Sequence, residues 1–136
     1  MPTKTTWMTR QAGVLLPLCS LPSKHGIGSM GKAAMDWVDF LNAACQSCWQ
    51  VLPLGPTGFG NSPYQSYSAF AGDPIYIDLG QLADQGLVKK SRLKKAEWGD
   101  DPTRIDYDLV RKEKDAVLRK AFENFKKPKA LSRFRK

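Results

Sequence analysis

Two short apolar runs, residues 13–18 and 49–54, both end on Leu-Pro-Leu, and one amphipathic stretch, residues 31–44, lies between them. In that stretch Ala34, Trp37, Val38, Leu41, Ala44 and Cys45 recur at helical spacing, while Asp36, Asp39 and Asn42 take another face. The spacing predicts an amphipathic helix, and Ser29 stands where an N-cap belongs. Runs that are apolar without alternation suit parallel strands covered on both faces, with Pro17 ending the first ladder. Strand, helix and strand within about 42 residues make a βαβ unit, which sets the strands parallel and the crossover right-handed. The fold class is α/β.

After the second run comes a long irregular stretch, residues 52–74. Gly55, Pro56, Gly58 and Gly60 exclude regular structure, and Asn61-Ser62-Pro63-Tyr64-Gln65 with Tyr67 and Phe70 follow in a setting of small polar residues. Loops beyond about 12–15 residues are uncommon in compact domains unless they bind something or are disordered, and the aromatic content here is that of a binding loop. Flat apolar faces beside hydroxyls and amides suit a sugar, whose C–H face lies on a ring while Ser, Asn and Gln bond its hydroxyls.

Together with residues 10–18 and 20–28 upstream (Arg-Gln-Ala-Gly-Val-Leu-Leu-Pro-Leu and Ser-Leu-Pro-Ser-Lys-His-Gly-Ile-Gly), this loop resembles the start of the 4-α-glucanotransferases, the amylomaltases of glycoside hydrolase family 77. The likeness runs from about Arg10 to Gly86 and more thinly to Phe125. It implies the N-terminal part of a (β/α)₈ barrel, a fold whose active sites form at the C-terminal ends of the strands and which takes about 250 residues to close. On this reading residues 1–9 are a loose end, and residues 10–136 are an N-terminal segment of the catalytic domain. The implied activity is retaining transfer of a 1,4-α-glucan segment to the 4-OH of an acceptor, through a covalent glycosyl intermediate and without metal or other cofactor. Such transfer uses a nucleophilic carboxylate and an acid/base about 5–5.5 Å apart. In the family these acids and a third, stabilising Asp come from strands further along, and none of Asp36, Asp39, Asp73, Asp78 or Asp84 matches them. The segment therefore carries no catalytic residue and is expected to bind sugar only.

Within the loop the resemblance makes Tyr64 the ring that stacks on the sugar at the cleavage subsite, with Ser62 and Gln65 orienting it or touching substrate. Phe59 falls where the family often has Tyr, and Tyr107 matches a second family aromatic; the two are expected to form an accessory groove. The chain departs from the family at Asn61 and Asp73, where Asp and Asn are expected. The alternative reading of Tyr64 is a turn residue packed on the barrel rim.

Composition limits the alternatives. The chain of 136 residues has room for one modest domain, and its formal charge is +8. Residues 1–86 hold four Lys/Arg against five Asp/Glu, whereas residues 87–136 hold 17 against eight. The motif-bearing part is near neutral, and the basic excess lies on what reads as a solvated helix and tail without interleaved aromatics, which argues against nucleic acid. No apolar run approaches the roughly 20 residues of a membrane span, and residues 1–9 lack a secretory h-region, so the expected compartment is the cytoplasm. Cys45 and Cys48 form a C-x-x-C, but with Cys19 and His25 as the remaining thiol and imidazole a zinc set is poorly supported. Cys45 closing the helix and Cys48 opening a strand, both as small buried hydrophobes, is the simpler expectation.

Gly26-Ile27-Gly28-Ser29-Met30-Gly31 is a G-x-G-x-x-G between strand and helix. Seven residues separate Leu18 from Gly26, however, and no acid stands between Asn42 and Pro56 to hold a ribose. No Walker lysine follows the loop glycines. The competing class is a non-catalytic basic or nucleotide-binding α/β module. Further on, residues 74–79 read as a strand or extended segment, 79–87 as a short helix closed near Gly86, 88–103 as a surface excursion, and 107–125 as a helix capped by Asp106. On that last helix Val110, Val117, Ala121 and Phe125 make the stripe, with Leu118 and Phe122 beside it. Leu131 and Phe134 in the tail lack partners, as though the chain stopped inside a longer element.

Overall fold

The computed structural model describes residues 10–126; Leu131 and Phe134 lie outside them. The βαβ unit is present: β1 (Gly13–Leu15) pairs in parallel with β2 (Cys48–Gln50), Val14 opposite Trp49, and α1 (Lys32–Ala43) forms the crossover. Both strands are shorter than the apolar runs predict. Leu18 leaves the first strand for a 3₁₀ turn (Leu18–Ser20), where it is buried, and residues 51–54 continue as irregular chain. The ladder is prolonged by the Leu16 amide donating to the Gln50 carbonyl at 3.0 Å at one end and by the Ser47 and Cys48 amides donating to the Ala12 carbonyl at the other.

Nor is the sheet covered on both faces among the described residues. Leu15 is 55% exposed, and on α1 only Ala34 and Leu41 of the predicted stripe are fully buried, with Trp37 half-buried and Val38, Ala44 and Cys45 exposed. Cys45 does follow the helix and Cys48 does open β2, but both thiols are exposed, which corrects their expected burial. Ser29 is not the N-cap of α1. Gly31 takes that position with no side-chain bond, and the buried Ser29 hydroxyl instead donates to Asp78 Oδ2.

Residues 74–79 are not a strand. Asp73 caps a 3₁₀ turn (Pro74–Tyr76) by accepting from the Ile75 amide, a start that Pro74, with no N–H of its own, favours. Asp78 then caps α2 (Leu79–Asp84) by accepting from the Gln81 amide. That helix stops where expected, since Gly86 adopts φ +75°, the left-handed conformation that glycine enters at no steric cost.

Residues 88–103 are more than a surface excursion. They contain α3 (Lys90–Lys95), and Val88 and Leu93 are buried with Leu79, Ala83, Leu87, Val117 and Ala121 in the largest apolar cluster, against which Trp98 packs. Sparse apolar residues in a charged run hide their burial because one short helical turn needs only one inward residue. The last helix, α4 (Tyr107–Phe125), starts at Asp106, whose carboxylate accepts from the Leu109 amide at 3.0 Å. Val110, Val117 and Ala121 are buried on its stripe, while Phe122 is 57% exposed. One lysine of its supposedly solvated basic face, Lys114, is 1% exposed. No helix among the described residues is long and apolar enough to cross a membrane.

Candidate functional site

Between β2 and the 3₁₀ turn at Pro74 the chain makes a closed excursion with fastened feet. Thr57 and Ser66 form an antiparallel bridge, and the Gly58 amide donates to the Gln65 carbonyl. Lower down, the Asp73 amide donates to the Leu54 carbonyl at 2.8 Å, so the outgoing and returning chains meet again. Inside the excursion the Ser66 hydroxyl donates to the Ser68 carbonyl, and Ser68 Oγ accepts from the Phe70 and Ala71 amides. The loop is thus held by its own short polar side chains, as irregular backbone on a surface must be.

Four aromatic rings face solvent from this frame: Phe59 is 99% exposed, Tyr64 74%, Tyr67 78% and Phe70 100%. Isolated rings on a protein surface need no explanation, but four within 12 residues of one loop make a surface able to accept flat apolar faces. Phe59 opens a tight turn (Phe59–Asn61) in which Gly60 and Asn61 both take positive φ. Asn61, the residue found where Asp is expected, is a type that tolerates this conformation. Ser62 is half-buried beneath the tip, its carbonyl accepting from the Gln65 amide; Gln65 is exposed beside Tyr64.

Tyr107 lies in a different setting. It is half-buried at the start of α4 against the cluster of Ile27, Ile75 and Val110, and it shares with Asn61, Thr57 and Tyr76 a small cavity of about 70 Å³ behind the loop. Burial, then the neighbouring Cys19 thiol, to which it is hydrogen-bonded, raise the Tyr107 pKa; burial likewise pushes Tyr76 up to about 12. Both phenols stay neutral and able to donate. Tyr64, Ser62, Gln65 and Phe59 therefore share one exposed lobe, whereas Tyr107 stands at its base.

Sequence reasoning missed the residues beneath the loop. Arg111, one turn along α4 from Tyr107, donates from Nη2 to Thr57 Oγ1 at 2.7 Å and to Asp73 Oδ2 at 2.9 Å, and from Nη1 to Asp73 Oδ1 at 3.3 Å. Lys114, one turn further, donates Nζ to the Ile75 and Ile77 carbonyls. Burial pulls the Lys114 pKa down to about 8 against the opposing pull of Asp78 and Asp73. Their one prior signal was the amphipathic pattern of α4, which cannot tell a solvated cation from one turned inward.

His25 packs edge-on against Trp98 at 5.2 Å between ring centroids. Its pKa is lowered by burial and by Lys114, with Asp78 opposing. Asp78 remains ionised at lower pH than usual: burial opposes this, but bonds from the Gln81 amide and Ser29 hydroxyl prevail. Gly26 lets the two loops meet here. Its φ is +74°, and a Cβ on it would fall 2.5 Å from both the Trp98 carbonyl and Val110 Cγ2. The glycines of the G-x-G-x-x-G thus serve close packing. Gly31 likewise leaves room for Asp78, whose Oδ2 would lie 2.2 Å from a Cβ.

The loop and its surroundings are those of a known family. Residues 16–136 match the glycoside hydrolase family 77 model, described as 4-alpha-glucanotransferase. The 4-alpha-glucanotransferase of Synechocystis sp. is 50% identical over 117 residues, which cover 86% of this chain and 23% of the relative. That of Streptococcus pneumoniae is 47% identical over 116 residues, 85% of this chain and 23% of the relative. The chloroplastic/amyloplastic enzyme of Solanum tuberosum is 40% identical over 116 residues, 82% and 20% respectively. Among solved structures, an amylomaltase from Streptococcus agalactiae in complex with acarbose superposes with a TM-score of 0.85 at 42% identity, over 91% of this chain and 25% of that one. The chain spans about a quarter of the length of the relatives it matches. Both the family model and the close agreement of the backbone lead to the same conclusion, that this α/β chain belongs to the 4-α-glucanotransferases of glycoside hydrolase family 77.

Proposed function

We propose that this chain forms the first quarter of a (β/α)₈ 4-α-glucanotransferase and supplies part of its glucan-binding surface in the cytoplasm. The observation that carries the reading is the display of Phe59, Tyr64, Tyr67 and Phe70 on a loop whose backbone is closed at both feet. Tyr64 stacks on the sugar ring next to the scissile bond. Ser62 and Gln65 orient that ring or bond the hydroxyls, Phe59 extends the contact along a longer glucan, and Tyr107 supports the loop from its base. The solved relative holds acarbose, an oligosaccharide, which supports the substrate class.

Chemistry is assigned to carboxylates outside these residues. Asp73 and Asp78, the acids nearest the loop's returning strand, are committed to Arg111 and the Ile75 amide, and to Ser29 and the Gln81 amide. Neither is free to attack an anomeric carbon.

The test is a graft, in which this chain replaces the matching quarter of the S. agalactiae amylomaltase and maltotriose is supplied. Glucose release with longer maltodextrins is expected from the graft and none from the 136-residue chain alone. A folded graft that leaves maltotriose untouched overturns the proposal.

A further inference from the structure

We infer that Arg111 is a positioning residue whose guanidinium fixes the two feet of the aromatic loop at a set separation. The proposal rests on the reading of that loop as a glucan surface. Arg111 belongs to α4, which is anchored in the core by Val110 and Val117, both 0% exposed. From there one planar group bonds Thr57 on the outgoing chain and Asp73 on the returning chain. The Asp73 side chain is 3% exposed, and its carboxylate also accepts from the Ile75 amide. An arginine is suited to this because its donors form a rigid fork that meets a carboxylate with two bonds and a hydroxyl with a third, whereas lysine offers one point of charge. The departure at position 73 acquires a reason: the buried Asp carboxylate gives the half-buried Arg111 an opposite charge and two acceptor oxygens, where an Asn amide would offer one acceptor and no charge.

The same geometry explains why the loop can be rigid at its base while its rings are almost wholly exposed. None of residues 58–70 is buried, so their order comes from the loop's own serine bonds and from the feet. Losing the Thr57 bond frees the outgoing foot first, because the Asp73 carboxylate on the returning chain is still held by the Ile75 amide, whereas Thr57 keeps only its backbone bridge to Ser66.

Amide hydrogen exchange on the full 136-residue chain tests this, with acarbose titration as a second readout. R111K keeps a charge beside Asp73 but not the fork, and T57V removes only the hydroxyl. Both are expected to speed exchange at the Gly58 amide by about tenfold, leave α4 amides such as Val117 unchanged, and weaken acarbose binding. Exchange at Gly58 that is unchanged in both variants, or that rises in step with Val117, overturns the inference. A parent chain that ignores acarbose while T57V still loosens Gly58 alone would sink the glucan reading and uphold the clamp.

Discussion

The Ser29 hydroxyl donates to Asp78 Oδ2 at 2.7 Å across 49 residues of sequence, while Asp78 Oδ1 accepts from the Gln81 amide at 2.8 Å. One carboxylate therefore caps α2 and ties the entry of α1 to it. Ser29→Ala should cost about 1.5–3 kcal/mol, the range for a hydrogen bond to a charged group. Gly31→Ala should cost a further sort of strain, about 1–3 kcal/mol, because its Cβ would displace that carboxylate. Urea unfolding measures both. A Gly31→Ala midpoint equal to that of the parent would show that Asp78 is not held where described.

Lys114 gives a pH signature. Its pKa falls to about 8 in the fold from 10.5 in the unfolded chain. Between those values the unfolded chain binds the extra proton, so stability rises with pH, by on the order of 3 kcal/mol across the window. Tyr76 and Tyr107 act oppositely above about 10, where the unfolded phenols ionise first. Stability should thus climb from pH 8 toward 10 and then fall, and Lys114→Met should remove the climb while keeping the fall. Denaturant midpoints at pH 7, 8, 9, 10 and 11 decide it; a Lys114→Met profile that still climbs would contradict the assignment.

The exposed apolar residues and open strand edges of the βαβ unit predict association. Leu15 is 55% exposed, and Met35 and Val38, neighbours at i,i+3 on α1, are 64% and 46% exposed. Among the described residues each strand pairs on one edge only. Unpaired edges and clustered apolar surface promote contact between chains. The 136-residue chain should bind a hydrophobic dye and show concentration-dependent mass in sedimentation, and a Met35→Lys, Val38→Lys variant should reduce both. A monomer at all concentrations with no dye binding would count against this prediction.

The parts of the fold that could be read from sequence were those where one period dominates. The spacing of Ala34, Trp37 and Leu41, the Asp106 cap and the glycine at Gly86 each declare a local conformation, and each is observed. Strand lengths failed because Leu16 and Leu18 are equally apolar in a ladder or in the turn that follows it. The burial of Leu93 failed because it depends on partners far along the chain, Val117 and Ala121, and the 3₁₀ turn failed because Asp73-Pro74 opens an extended segment as readily as a turn. The exposed loop residues were legible from composition and resemblance. Arg111 and Lys114 were not, since a buried cation differs from a solvated one only in the acceptors it meets, here Asp73, Thr57 and the Ile75 carbonyl.

The central claim is that the exposed rings around Tyr64 take the face of a glucan, and the direct measurement is an NMR titration of the 136-residue chain with acarbose, following the aromatic side chains. Shifts are predicted at Tyr64 and Phe59, with Trp98 and His25 unmoved. Tyr64→Phe should keep most of the affinity, and Tyr64→Ala should lose about tenfold, since stacking contributes roughly 0.5–1.5 kcal/mol beyond the buried area. Saturation unchanged in a folded Tyr64→Ala, or shifts confined to Trp98 and its neighbours, would contradict the account.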